Sequence, residues 1–318
     1  MPVRRILIRA VSLFSMMISV CHQDSWADEN LPARFSEDQQ LSQSLRGIVA
    51  DLALDGEFPT EDGPERISLA VVDLTTKPPR FGGVYADNFI YPASVYKMYV
   101  AAEVLRQISE GKATLEAAVT VKDPNVVDRS KEIPSDPRPL LADGDEVTLG
   151  YLLDLMITRS DNTAANCLID FAQRPRINTM MHEYGWQGSE VTRKFLKRTV
   201  EDEGYRDAPG TETCALHAAD FLYRIRMRKL VNPWVSMQLE SLLGRQLDNT
   251  KFAQGLQASA MFYHKTGWYA DWSHDVGIVD DGTTCFVVAC FLPLKEDAAK
   301  PKFEELGKRI FALMTPDK

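Results

Sequence analysis

YPASVYKMYV, residues 91–100, runs on as AAEVLRQI, and from Tyr91 to Leu105 its only charges are Lys97 and Glu103. A helix this apolar is buried over most of its circumference. A lysine held inside it loses hydration, which depresses its pKa and makes it a candidate base. The competing reading is a lysine whose stem packs while its ammonium reaches the surface. Three residues earlier stands Ser94, one helical turn away and on the same face.

The pattern around this stretch alternates between strand and helix periods. Residues 37–53 carry Leu41, Leu45, Ile48, Val49 and Leu52 at helical spacing. Two strand-like runs follow, ISLAVVDLTT (67–76) and FGGVYADNFI (81–90), parted by Lys77-Pro78-Pro79. Residues 122–147, rich in Pro, Asp and Gly, predict a long ordered surface loop. Thr148 is placed to cap a helix, LGYLLDLMIT, which breaks at Ser160-Asp161-Asn162 before a second helix, TAANCLIDF. Residues 186–212 are polar and irregular, and helical patterns return at 213–230 and 233–245. QASAMFYHKTG, SHDVGIV and TTCFVVACF then read as strands, with a hairpin signal at Asp280-Asp281-Gly282 and a closing amphipathic helix over 299–315. The order predicts an α/β fold: an antiparallel sheet flanked by N- and C-terminal helices (36–92 and 252–318), with a helical subdomain (93–251) inserted and a cleft between them.

Three short motifs fall on the expected edges of that cleft. Ser94-x-x-Lys97 alone means little, since Ser109-x-x-Lys112 matches the same pattern at a helix end. Ser160-Asp161-Asn162 and Lys265-Thr266-Gly267 each occur once, and each arises by chance in roughly one chain in twenty. All three in this order, at a helix start, a break between helices and a strand end, resemble the penicillin-recognising serine hydrolases, and most closely the class A β-lactamases. YPASVYKMYVAAEVL, TLGYLLDLMITRSDNTAANCLID and YHKTGW...HDVGIV extend the likeness over roughly residues 36–314.

The residues themselves fit that chemistry. Ser94 needs a base to become a nucleophile, and Lys97 is within reach. Ser160 can relay a proton to a departing amide nitrogen, while Gly267 lets a strand backbone approach closely. The resemblance implies that Asn162 holds a substrate amide and that Lys265 and Thr266 bind its carboxylate. It also implies an oxyanion hole made by the backbone N–H groups of Ser94 and Trp268. The implied substrate is a β-lactam or a peptidoglycan stem peptide. The implied activities are β-lactam hydrolysis, D,D-carboxypeptidase or transpeptidase chemistry, or β-lactam binding with slow release.

One family element is missing. Class A enzymes carry a deacylating glutamate in a loop that opens V-T-R and contains E-P-x-L-N. Val191-Thr192-Arg193 is present, but the continuation is KFLKRTVEDEGYRD, and an ungapped count puts Arg198 at the glutamate position. Glu201 can replace the glutamate if the loop is remodelled, with Glu203 a further candidate. Alternatively, these acids simply neutralise Arg193, Lys194, Lys197 and Arg198. The arginine the family often adds after K-T-G is replaced by Ser273, His274 and Asp275, with Lys251 a distant substitute. His264 reads as a packed strand residue. Trp268, Tyr269 and Trp272 read as a wall of the cleft or as core.

The remaining features bound the class. Arg4, Arg5 and Arg9, the apolar run Ala10–Val20 and Ser25-Trp26-Ala27 predict an export signal over residues 1–27, cleaved after Ala27; lipidation at Cys21 is the alternative. Export implies a periplasmic or secreted protein. Removal of that segment leaves 33 basic and 44 acidic residues, a net charge of −11, which argues against nucleic acid or an anionic membrane as partner. No stretch of the mature chain is long enough to span a bilayer. Cys285 and Cys290, roughly 16 Å apart on opposite faces of one strand, are not expected to pair. Cys167 and Cys214 read as buried thiols. The five histidines are scattered without metal-ligand spacing, so a metal-free, cofactor-free monomer is expected.

Overall fold

The computed structural model describes residues 31–316. The predicted export signal and Cys21 lie outside them. In chain order the elements begin with β1 (Ser36–Glu37), α1 (Gln39–Asp51), β2 (Phe58–Thr60), β3 (Gly63–Glu65), β4 (Ser68–Asp73) and β5 (Arg80–Val84). They continue with α2 (Lys97–Ser109), β6 (Ala118–Thr120), β7 (Glu146–Thr148), α3 (Leu149–Thr158), α4 (Asn162–Ala172), α5 (Arg174–Glu183), α6 (Ala215–Arg226) and α7 (Pro233–Leu243). The chain closes with β8 (Met261–Tyr269), β9 (Trp272–Asp280), β10 (Cys285–Leu292) and α8 (Glu296–Met314).

Six strands form one sheet in the order β1-β5-β4-β10-β9-β8, antiparallel except for the short parallel pair β1–β5. Period-two alternation divides the core across it. From β4 and β10, Leu69, Val71, Phe286, Val288 and Cys290 pack with α1 and α8 through Leu45, Phe303 and Ile310. The alternate residues Ala70, Val72, Val287, Ala289 and Phe291 face the helices on the other side. Both sheet faces are therefore covered, as the near-continuous hydrophobic runs of these strands require.

One cap stands where the sequence predicts it, at Thr148, and a second, not read from the sequence, is supplied by Asp161. Thr148 Oγ1 accepts the Tyr151 N–H at 3.1 Å and starts α3. Asp161 accepts the Ala164 N–H at 2.7 Å and starts α4. α5 was not anticipated, because RPRINTMMHE is polar along most of its length and only three apolar residues, Ile177, Met180 and Met181, turn inward beside buried Arg174. The predicted helix of the opening stretch begins instead as a 3-10 turn, Ala93–Tyr96, and becomes α-helical at Lys97. Among the described residues no helix is long and apolar enough to cross a membrane. Among the described residues the four cysteines are free thiols: Cys167, Cys214 and Cys290 are buried and Cys285 is partly so.

The 3-10 turn Phe252–Gly255 lies against α8 with no room between backbones. A Cβ on Gly307 would stand 2.4 Å from the Phe252 carbonyl oxygen, and one on Gly255 would stand 2.1 Å from that of Glu304. Because the obstructing atoms are backbone, the elements must separate to admit a methyl group. Gly307→Ala is expected to destabilise the protein by about 1–3 kcal/mol, read as a lowered urea midpoint at unchanged m-value.

Candidate active site

Ser94 is delivered by a strained approach. Ala93 has φ +44°, a left-handed conformation that costs a non-glycine residue energy. The 3-10 turn that follows has three residues per turn, so side chains at i and i+3 eclipse one another. Ser94 and Lys97 are thus stacked on one side by local geometry, and the Lys97 N–H donates back to the Ser94 carbonyl. Across from this turn lies β8. A Cβ on Gly267 would stand 2.9 Å from the Ser94 nitrogen and 3.0 Å from the Pro92 oxygen, so only glycine permits this contact. The Ser94 side chain is half-buried and its hydroxyl makes no hydrogen bond among the described residues.

Lys97 is fully buried, which settles the choice left open by the sequence: its ammonium does not reach the surface. Nζ donates to the Ser160 carbonyl (2.5 Å), Ser160 Oγ (3.2 Å) and Asn162 Oδ1 (2.8 Å). These three bonds use every proton an ammonium carries. Burial pushes its pKa down to about 8, against the opposing charges of Glu132, Asp128 and Asp161. Lys265, also fully buried, donates to the same Ser160 Oγ at 3.0 Å and to the Thr266 carbonyl at 2.8 Å. Burial first, and then the neighbouring Lys97 charge, drive the Lys265 pKa down as well. Two lysine nitrogens therefore converge on one hydroxyl. Thr266 Oγ1 is buried without a partner, an acceptor and donor left open toward a ligand.

Ser160 itself sits at φ +62°, between the end of α3 and the cap of α4. Arg159 fixes this turn. Its buried guanidinium reaches Asp161 Oδ2 (2.7 Å), the carbonyls of Arg138 and Pro139 (2.8 Å each) and, at 3.4 Å, Asp136. Asp128 completes the tie from the long loop, accepting the N–H groups of Asn162 (2.7 Å) and Thr163 (3.1 Å) and the Asn162 amide (3.0 Å). In front of Ser160 this leaves a cavity of about 180 Å³, lined by Asp128, Glu132, Leu140, Ser160, Asn162 and Trp268.

The loop of residues 186–212 departs from the ungapped count. Arg198 is exposed and donates to the carbonyls of Arg206 and Ala208, at the surface. The group over Lys97 is Phe195, whose ring centroid lies 4.2 Å from Nζ and which stacks on Tyr96 at 4.8 Å. Asn166 clamps it there: Oδ1 accepts the Phe195 N–H at 2.7 Å and Nδ2 donates to its carbonyl at 3.5 Å. Glu201 is buried with both oxygens engaged, one by Arg174 (2.5 Å), the other by the Lys194 N–H (3.0 Å). It pins the loop, and no contact joins it to Lys97. Glu203 stays exposed.

Other candidates resolve simply. Lys251 is buried between Asp248 (3.0 Å) and Glu296 (3.1 Å). His264 is a packed strand residue, bonded to Asp275 and stacked on Phe262. His274 Nε2 donates to the Tyr91 carbonyl at 2.8 Å, since burial drives its pKa down to about 3 and keeps the ring neutral. Trp272 is core, while Trp268 and Tyr269 are exposed. At the second S-x-x-K, Ser109 merely caps its own helix end and Lys112 pairs with Glu110. Phe195, Asn166, Asp128 and Glu132 carried no local signal beyond a buried asparagine one turn after Asn162.

The model of the beta-lactamase enzyme family matches residues 52–314. This chain belongs to that family. No curated protein matches it in sequence. Among solved structures it is similar to PBP-A, at 20% identity and a TM-score of 0.72, over 90% of this chain and 99% of that one. It is also similar to a beta-lactamase from Sphaerobacter thermophilus, at 18% identity and 0.72, over 87% and 98%. The reconstructed class A beta-lactamase of the last common ancestor of Gram-negative bacteria gives 23% and 0.70, over 86% and 100%. These likenesses establish the beta-lactamase-like fold that the motifs implied.

The arginine that locks the Ser160 turn is a test of the site's construction. Arg159→Ala leaves Asp161 buried without its countercharge, while Asp136 keeps Arg138 at 2.8 Å, and is expected to cost about 3–5 kcal/mol of stability. Chemical denaturation reads this directly, and a loss below 1 kcal/mol contradicts it.

Proposed function

We propose that the protein is an exported active-site-serine acyltransferase that opens β-lactam amides through an acyl-enzyme on Ser94 and releases the acyl group slowly. The observation that supports this best is the pairing of two buried lysines on Ser160, with Phe195 covering the Lys97 face where a water-activating base would have to stand. In this reading Lys97, once neutral, takes the Ser94 proton as Oγ bonds to the substrate carbonyl carbon. An ammonium with all three protons committed has no lone pair for this, so deprotonation must come first. Lys97 then returns a proton to Ser160, whose own proton passes to the departing amide nitrogen. Asn162 holds the acyl-side amide, Lys265 and Thr266 the carboxylate, and the Ser94 and Trp268 N–H groups the oxyanion.

The same dry face favours a transpeptidase role on peptidoglycan stem peptides over rapid β-lactam hydrolysis or D,D-carboxypeptidase turnover, both of which need water to release the acyl group. A second peptide can approach from the cavity, whereas no free carboxylate beside Lys97 is there to activate water. Glu201 is left out of the mechanism because its oxygens serve Arg174 and Lys194. The N-terminal pattern supports export to the compartment where such substrates are met.

Intact-mass spectrometry after adding benzylpenicillin is expected to show a one-to-one adduct that persists for many minutes, absent in Ser94→Ala. An adduct gone within seconds while product accumulates favours fast hydrolysis instead, and no adduct at all overturns the reading. Because the base must be neutral and burial lowers its pKa to about 8, the acylation rate is expected to rise through pH 8 and to fall about tenfold per unit well below it. A profile flat from pH 6 to 9 removes Lys97 as the base.

A further inference from the structure

Three carboxylates line the cavity in front of Ser160, and two of them are spent on structure. Asp128 accepts three hydrogen bonds at the start of α4, and Asp161 caps that helix while paired to Arg159. Glu132 differs. It is exposed, sits on the loop between β6 and β7, and its one hydrogen bond comes from the indole N–H of Trp268 at 3.0 Å, across the cavity mouth at the end of β8. An indole is neutral, and among the described residues Glu132 has no ion pair. The adjacent Lys131 also lines the cavity, but its ammonium is turned to the Asp136 carbonyl at 2.5 Å and forms no ion pair with Glu132. The Glu132 charge is felt inside the site, where it favours the ammonium forms of both Lys97 and Lys265.

We propose that Glu132 is a specificity-determining residue that selects acyl groups carrying an ammonium or other strong N–H donor at the cavity mouth and disfavours those carrying a second carboxylate there. A ligand ammonium can take the place of the Trp268 indole as donor to Glu132 and adds charge attraction. A ligand carboxylate meets an uncompensated like charge on the rim. The carboxylate assigned to Lys265 and Thr266 is a separate group, deeper in the cleft. This inference rests on the acyl-serine reading above.

Three penicillins that share a phenylacetyl frame and differ only at its α-carbon test it: ampicillin (ammonium), benzylpenicillin (hydrogen) and carbenicillin (carboxylate). Second-order acylation rates, read by intact mass at low ionic strength, are expected to fall in that order by about fivefold per step, the size of one charge contact in water. The spread should shrink in about 0.5 M salt, because the charges are exposed. Glu132→Gln keeps an acceptor for the indole and should collapse the series, while Glu132→Lys should reverse it. Equal rates for the three compounds in the native protein, or an unchanged gradient in Glu132→Gln, overturn the inference. Absence of any adduct with all three defeats the acyl-serine reading instead.

Discussion

The Ser160 hydroxyl is held between two buried ammonium groups, Lys97 at 3.2 Å and Lys265 at 3.0 Å. Two like charges that close, both cut off from water, cannot both keep their protons without cost, and each lowers the other's affinity. The rest of the site answers that constraint. Ser160 adopts a left-handed conformation to present both its carbonyl and its hydroxyl to Lys97. Arg159, itself buried, braces the turn from behind through Asp161 and two loop carbonyls. Gly267 removes the one side chain that would push β8 away from the nucleophile's backbone.

The same constraint gives the loop of residues 186–212 its importance. A carboxylate beside Lys97 would neutralise the pair and provide a base for water. Here the chain offers an aromatic face, held by Asn166 on α4 and stacked on Tyr96, so the lysine is stabilised by the ring's quadrupole and shielded from solvent. The acids of this loop are turned away, Glu201 into a buried arginine and Glu203 to the surface. On the acyl-serine reading proposed above, a scaffold shared with beta-lactamases carries a lining suited to forming an acyl-enzyme rather than to clearing it, fold and function being set by different residues.

The negative rim has a related origin. The loop between β6 and β7 contributes Asp128, Asp136 and Glu132 to a site whose positive charges are buried. Two of these carboxylates brace the turn at Ser160 and one is left facing the cavity mouth. Loops positioned on a rigid frame carry such differences more readily than strands, because they can change without disturbing the sheet.

Much of this was legible in the chain itself. The strand-like runs of β4, β8, β9 and β10, the Thr148 cap, and the motifs at Ser94, Ser160 and Lys265 are local patterns whose physics acts over a few residues. Polar α5 escaped because its buried face holds only three apolar residues. Counting along the sequence placed Arg198 at the missing glutamate and left Glu201 as a substitute, but a loop's path is set by what clamps it, and the clamps are Asn166, Arg174 and the Lys194 amide. By itself, then, the sequence determined the fold class, the three motifs and the placing of a lysine one turn after a serine in an apolar helix. Tertiary structure alone decided that Phe195 covers that lysine, that Glu201 is withdrawn from it and that Glu132 meets the Trp268 indole at the cavity mouth. These depend on contacts between residues 27, 29 and 136 apart along the chain, where local periodicity carries no information.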